Sequence, residues 1–313
     1  MLVYIVRRIV GMMVVMLLVA MVVFVIARVV PGDPAAVMLG SSATPDDIAA
    51  LRGRLGLDEP LLTQFLLYLG QIVRFDLGES IFLNRPVAQA LAERSELTAL
   101  LTMMSVGIAM LIGVPIGILS AAKRGGLIDQ TAVGLAMLAA SIPSFWIGLT
   151  LIKYLAVDHA WFPVAGYGPP EADLMERMRH LVLPAIALGI PNSALILRFT
   201  RTSMLDVMSN DYVRTARAKG LPPLVVVLKH ALRNAMIPIL TVIGLTTAVM
   251  IAGAIVTETV FGLPGVGNLI VSAVLRRDYP VIQGALLVVS AIYVLINLTV
   301  DLLYAVVDPR VRY

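Results

Sequence analysis

The chain has 313 residues, of which 59% are hydrophobic and 14% charged, and its mean hydropathy is +0.92. A soluble domain carries about 25% charged residues, so a water-soluble globular fold is excluded and an all-α integral membrane protein is expected. With no cysteine, a disulfide framework, thiolate chemistry and a cysteine-ligated metal are excluded as well.

Arg7 and Arg8 precede an apolar run that reaches about Val30. The run exceeds the roughly 7–15 residues of a signal-peptide core, so residues 1–30 read as an uncleaved first span with a cytoplasmic N-terminus. Arg28, near its far end, is expected to snorkel to the interface. Pro31-Gly32-Asp33-Pro34 stops the helix. Residues 31–96 then read as a small helical extracytoplasmic insertion. Ser41 to Leu57 forms a short helix capped by Thr44, with Asp46 and Asp47 in its first turn and Gly56 at its end. Pro60 to Val73 is amphipathic, with Leu62, Phe65, Leu66 and Leu69 on one face. Asp76 to Ser80 is a turn, and Val87 to Arg94 a separate helical approach to the membrane.

Five further spans occupy residues 97–307. Span two runs from Leu97 to Ala121 with a kink at Pro115, and span three from Leu127 to Val157 with a break near Pro143. Span four, Leu181 to Phe199, is interrupted by Pro184, Gly189 and Pro191. Span five runs from Asn234 to Glu258. A turn-rich loop and a short helix, Ile270 to Leu275, lead to span six, Val281 to Val307, and residues 308–313 form a tail. Six spans place both termini on one side. Thirteen of the 24 basic residues fall on the short segments of that side, which makes it the cytoplasm.

Residues 209–221 then form the most polar segment of the inner face. Ser209 or Asn210 can accept a first-turn N–H. Asp211 complements the positive end of a helix dipole, and Arg217 and Lys219 the negative end. Gly220 suits the left-handed position after a helix, and Pro222 cannot continue it. The expected element is a rigid, doubly capped rod of about ten residues, roughly 15 Å long, which a soluble partner can reach.

Several segments together carry a resemblance that runs from Met1 to Tyr313. They are Tyr4 to Ile9, Pro31 to Ala35, Leu55 to Leu61, Phe75 to Ser80, Asp211 to Gly220, Lys229 to Ala235, Glu258 to Gly267 and Arg277 to Gln283. In this order on six spans the chain resembles an ABC importer permease subunit of the dipeptide/oligopeptide permease family. The resemblance implies a type I ABC importer fold in the bacterial inner membrane. The implied partners are a second permease subunit, a paralogue by expectation, two ABC ATPase subunits that bind ATP and Mg, and an extracytoplasmic solute-binding protein. It also implies that the cytoplasmic helix is a coupling helix with an E-A-A-x-x-x-G signature. Aligned on Gly220, the signature falls on Arg214, Thr215 and Ala216, so only Ala216 and Gly220 match. The resemblance thus implies that the ATPase groove meets a cationic rather than an anionic side chain. The implied coupling set is Asp211, Tyr212, Arg214, Thr215, Ala216, Arg217, Ala218, Lys219, Gly220 and Leu221. The segment Gly32–Glu96, with Trp161–Gly168 and Phe261–Gly267, is expected to dock the binding protein.

The chain has no G-x-x-x-x-G-K-[ST] loop, so ATP hydrolysis belongs to partner chains. Its three histidines are too scattered for a metal site, and no nucleic-acid role is expected. Polar residues within spans are costly in lipid. Ser141, Ser144, Asn192, Thr241, Thr246 and Asn297 are candidates for the translocation path, against interhelical hydrogen bonding. Asn192 leads, because the breakers of span four would open backbone carbonyls to a water-filled cavity. Asp129, Glu258 and Asp301 lie near span ends and are expected at the interface. Short peptides are the expected cargo; glutathione, a nickel chelate or an oligosaccharide is the alternative on the same scaffold. A stand-alone secondary transporter is the reading from another class.

Overall fold

The computed structural model describes residues 2–29, 34–39, 44–54, 56–169 and 171–307. The expected break at Pro31–Asp33, the start of the helix at Ser41 and the tail 308–313 lie outside the described residues. Every named element is a helix: α1 (Leu2–Val29), α2 (Pro34–Leu39), α3 (Pro45–Arg54), α4 (Leu61–Val73), α5 (Val87–Ala122), α6 (Leu127–Ser141), α7 (Ser144–Leu151), α8 (Leu174–Met208), α9 (Asp211–Ala218), α10 (Pro223–Val225), α11 (Arg233–Val260), α12 (Val266–Arg276) and α13 (Tyr279–Val307). Two wider π-type segments, Ile152–Asp158 and Val226–Leu232, extend α7 and lead into α11.

Among the described residues, five helical stretches are long and apolar enough to cross a membrane: Val6–Ile26, Val87–Ala122, Leu174–Met208, Pro223–Val260 and Tyr279–Tyr304. A bent pair, Leu127–Ser141 and Ser144–Asp158, is turned by 91° at Ile142-Pro143 and brings the number to six when its two arms are counted as one span. Pro143 removes a backbone donor and biases Ile142 to extended backbone, observed at ψ 124°. Two expected interruptions are corrected. Val87 to Ala122 is one 36-residue helix rather than an approach helix followed by a span. The 35-residue α8 runs unbroken through Pro184 and Pro191.

The chain divides into two compact units. The first comprises Met1–Glu96 and Leu269–Val294. In it α4 is fastened to the end of α1. The Phe24 ring meets Phe65 edge-on at 5.3 Å, and the Arg28 guanidinium lies 4.5 Å from the Phe24 ring centre. Arg28 Nε donates to Gln64 Oε1 at 3.0 Å. Arg28 is thus folded onto α4 instead of snorkelling alone. Thr44 and Asp47 form a reciprocal capping box at α3: Asp47 N–H donates to Thr44 Oγ1, and Thr44 N–H to Asp47 Oδ2. Gly56 follows α3 at φ +64°, the left-handed stop expected of it.

The second unit comprises Leu97–Asn268 and Leu295–Tyr313. Its core joins Leu101, Leu181, Leu183, Leu188, Ile196, Met250 and Leu263, all fully or nearly fully buried. Small residues set the closest approach. A Cβ on Gly113 would lie 2.8 Å from the Ser193 carbonyl oxygen, and one on Gly117 would lie 2.7 Å from that of Leu197. The Gly113-x-x-x-Gly117 stripe of α5 therefore lets α8 pack backbone to backbone, as membrane helix pairs require where lipid gives no hydrophobic drive to associate.

Candidate coupling site and translocation path

The second unit carries both sets of expected functional residues. At α9 the amphipathic spacing is realised with two anchors. Val213 (0% exposed) and Ala216 (6%) pack on Val226 and Val207. Asp211, Tyr212, Arg214, Thr215, Arg217, Ala218, Lys219, Gly220 and Leu221 are all exposed. Ala216 is therefore not on the docking surface expected of it; it seats the helix. The rod has eight residues, about 12 Å at the usual rise.

Its C-terminal stop is as expected: Gly220 has φ +76°, and its N–H donates to the Arg217 carbonyl at 2.9 Å. The N-terminal expectation is corrected. Asn210 occupies the cap position without a side-chain cap bond. Ser209 Oγ donates backwards to the Asp206 carbonyl. Asp211 pairs with Arg214 at 2.8 Å across one turn, which presents a surface of both signs. Next to α9 a cavity of about 760 Å³ is lined by Lys123, Arg124 and Arg217 above the apolar Ala121, Leu205 and Met208. Three cations around one recess suit an acidic counterpart.

A buried ion pair supports this region. Asp129 is 4% exposed and receives Arg201 Nε at 2.6 Å and Nη2 at 2.8 Å. Ser120 Oγ donates at 2.5 Å and the Gly125 N–H at 2.8 Å. One carboxylate thus ties α5, the basic turn, α6 and α8 together. Asp129 does not lie hydrated at an interface. Glu258 departs from that expectation as well. It is wholly buried and accepts from Thr98 Oγ1 at 2.6 Å and from the Asn268 N–H at 2.9 Å. The Val266 N–H donates to the same Thr98 hydroxyl. Glu258 and Thr98 together satisfy the start of α12. A Cβ on Gly265 would run into the Glu258 carboxylate, so the loop needs its glycine for close approach.

The six path candidates are distributed over four regions. Ser141 and Ser144 flank the 91° bend. Ser141 is exposed and donates to the Met137 carbonyl. Asn192 is half-buried, and its amide donates to the Leu188 carbonyl at 2.7 Å. α8 stays helical through both prolines, so only the carbonyls four residues before them, those of His180 and Ala187, lose their helical N–H, which narrows the reason for ranking Asn192 first. Thr241 donates to Ile237 and accepts from Tyr304 Oη at 2.6 Å, which ties α11 to α13. Thr246 is 1% exposed, with its hydroxyl unpartnered among the described residues, and Asn297 is half-buried on α13. Composition alone did not reveal the Asp129–Arg201 and Glu258–Thr98 contacts. The available signal was a carboxylate at the first or last turn of a span with no charged neighbour in sequence. Among the described residues no group of histidines and carboxylates is placed to hold a metal ion.

Residues 113–313 match the family model described as the binding-protein-dependent transport system inner membrane component, and residues 1–102 match its N-terminal companion. The chain is 45% identical over 311 residues to the "Probable peptide ABC transporter permease protein y4tP" of Sinorhizobium fredii, covering 99% of each chain. It is 41% identical over 315 residues to the dipeptide transport system permease protein DppB of Escherichia coli, covering 93% of each. A solved structure of the methionine ABC transporter MetNI in an inward-facing conformation shares the fold. The TM-score is 0.58 at 18% identity, over 70% of this chain and 97% of that one. The chain thus belongs to the binding-protein-dependent transport system inner membrane components, as a multi-span permease subunit of an ABC importer that does not itself hydrolyse ATP.

Proposed function

We propose that this chain forms one half of the translocation path of an importer of short peptides, and that α9 is the lever through which the ATPase subunits drive it. Family membership implies an ATPase and a substrate-binding protein as partners. The fuller reading is a paralogous second permease, two ATPase subunits binding ATP and Mg, and an inner-membrane setting with both termini in the cytoplasm. In this reading residues 31–96 form the outward cap that receives the binding protein. Ser141, Ser144, Asn192, Thr241, Thr246 and Asn297 supply polar groups along or beside the path. The names of the relatives support the peptide cargo.

The observation that carries the reading is the division of labour on α9. Val213 and Ala216 fix it to the body, and the remaining side chains stand outward. A helix held on one face and exposed on the other can transmit a push without unwinding.

The test is Arg214→Glu with Arg217→Glu in the assembled transporter, reading dipeptide uptake and binding-protein-stimulated ATP hydrolysis in proteoliposomes. Both should fall at least about tenfold while the melting temperature is unchanged, since exposed charge pairs contribute about 0–1 kcal/mol to stability. Uptake at the parental rate would sink the lever role.

A further inference from the structure

In the first unit a cavity of about 370 Å³ lies where two spans end, a volume within the range of about 300–1,000 Å³ typical of small-molecule sites. Arg28, two residues beyond the apolar stretch of α1, lines one part of it. Tyr279 and Gln283, in the first turns of α13, line another, and Tyr68 of α4 a third. Tyr68 Oη, Tyr279 Oη and Gln283 Nε2 are all buried and have no hydrogen-bond partner among the described residues. Tyr279 as a whole is only 9% exposed. All three side chains line this one cavity, and buried donors left unpaired are costly, so the lining calls for a ligand rich in acceptor oxygens. Burial pushes the Tyr68 hydroxyl up to about 12, which keeps it a neutral donor.

The charges narrow the choice. Asp76 and Glu79 line the same cavity. Against the single cation Arg28 the lining carries two carboxylates, so a simple anion would be repelled. A zwitterion meets both requirements: oxygens of a phosphate take the donors and Arg28, and an ammonium faces Glu79. The source follows from position. The cavity sits at the ends of two spans, and Leu61, Leu62 and Leu66 of the neighbouring α4 are 60–70% exposed, an apolar face suited to the acyl boundary. We propose that this cavity binds the phosphate–ammonium headgroup of a membrane phospholipid.

The test uses the complete transporter in nanodiscs of equimolar phosphatidylethanolamine and phosphatidylglycerol, followed by release into mild detergent and mass spectrometry of retained lipid. Retention of phosphatidylethanolamine about tenfold above phosphatidylglycerol is expected, the size of effect that one well-placed charge contact gives. Tyr279→Phe with Gln283→Leu should lower retention about tenfold in an intact complex. Glu79→Gln should bring the two lipids to parity, a shift in preference that loss of folding cannot produce. No retained lipid, equal retention of both lipids by the parent, or a double variant that keeps its lipid would each overturn the proposal. Binding of water-soluble glycerophosphoethanolamine with no lipid retained would overturn it too, because the ligand would then come from the aqueous side.

Discussion

Ser80 donates a 2.6 Å hydrogen bond to Asp278, a buried carboxylate 198 residues further along the chain. The N–H groups of Ile81 and Phe82 converge on the same carboxylate at 3.4 Å, and Ser80 Oγ accepts from the Leu83 N–H. The turn after α4 and the turn before α13 are therefore one structural joint. Asp278→Ala leaves the Ser80 hydroxyl and two backbone donors unpaired, and should cost about 2–4 kcal/mol. Limited proteolysis across residues 76–86 would show faster cleavage in the variant. Asp278→Asn keeps an acceptor oxygen and should recover part of the protection.

The Asp129–Arg201 pair should behave as a buried ion pair does. Arg201→Leu strands the Asp129 charge and should cost about 3–5 kcal/mol. Removing both charges with Asp129→Leu and Arg201→Leu should recover much of that loss, since the uncompensated charge disappears. Thermal unfolding of the four combinations in detergent gives the coupling directly. Additive effects would mean that the two side chains do not act as a pair.

Gly117 should not tolerate a larger residue. Leucine there would drive into the Leu197 carbonyl and Thr200 and should cost at least about 1–3 kcal/mol. The same substitution at Gly107, where a Cβ would meet nothing within 4 Å, should be mild. The comparison of melting temperatures isolates the close approach from any general effect of leucine in α5.

The capping box of α3 gives a pH dependence with a definite sign. Hydrogen bonds from the Thr44 hydroxyl and backbone N–H hold the exposed Asp47 carboxyl below its usual 3.8. A depressed folded value means that the contribution is present above the ordinary carboxylate range and fades as pH falls through the lower folded value. The protection of the first-turn amides of α3, taken relative to their intrinsic exchange rate at each pH, should be constant near pH 5 and fall below about pH 3.8. Asp47→Asn should flatten that dependence.

Gly220 supplies a positive φ that other residues adopt only with strain. Gly220→Val should cost about 1–2 kcal/mol locally and fray the end of α9. A readout is the spin-label mobility at position 218, which should rise while the core unfolds at an unchanged temperature.

Much of this protein was legible in its sequence because the signals are local. Apolar runs of span length act along a single helix, and Thr44 with Asp47, Gly56, and Gly220 before Pro222 act within one or two turns. They predicted an all-α membrane protein with several span-length helices and the stops of α3 and α9. What the sequence left open was decided by partners far along the chain. Asp129 meets Arg201 72 residues later, Glu258 meets Thr98 160 residues earlier, and Asp278 meets Ser80 across 198. A carboxylate near a span end reads the same whether it faces water or a buried guanidinium; only helix packing chooses between them. The prolines show the same limit. Pro184 and Pro191 stay inside α8, whereas Pro143 ends α6 in a 91° turn. A missing N–H permits a break, and the packing of neighbouring helices decides whether one occurs.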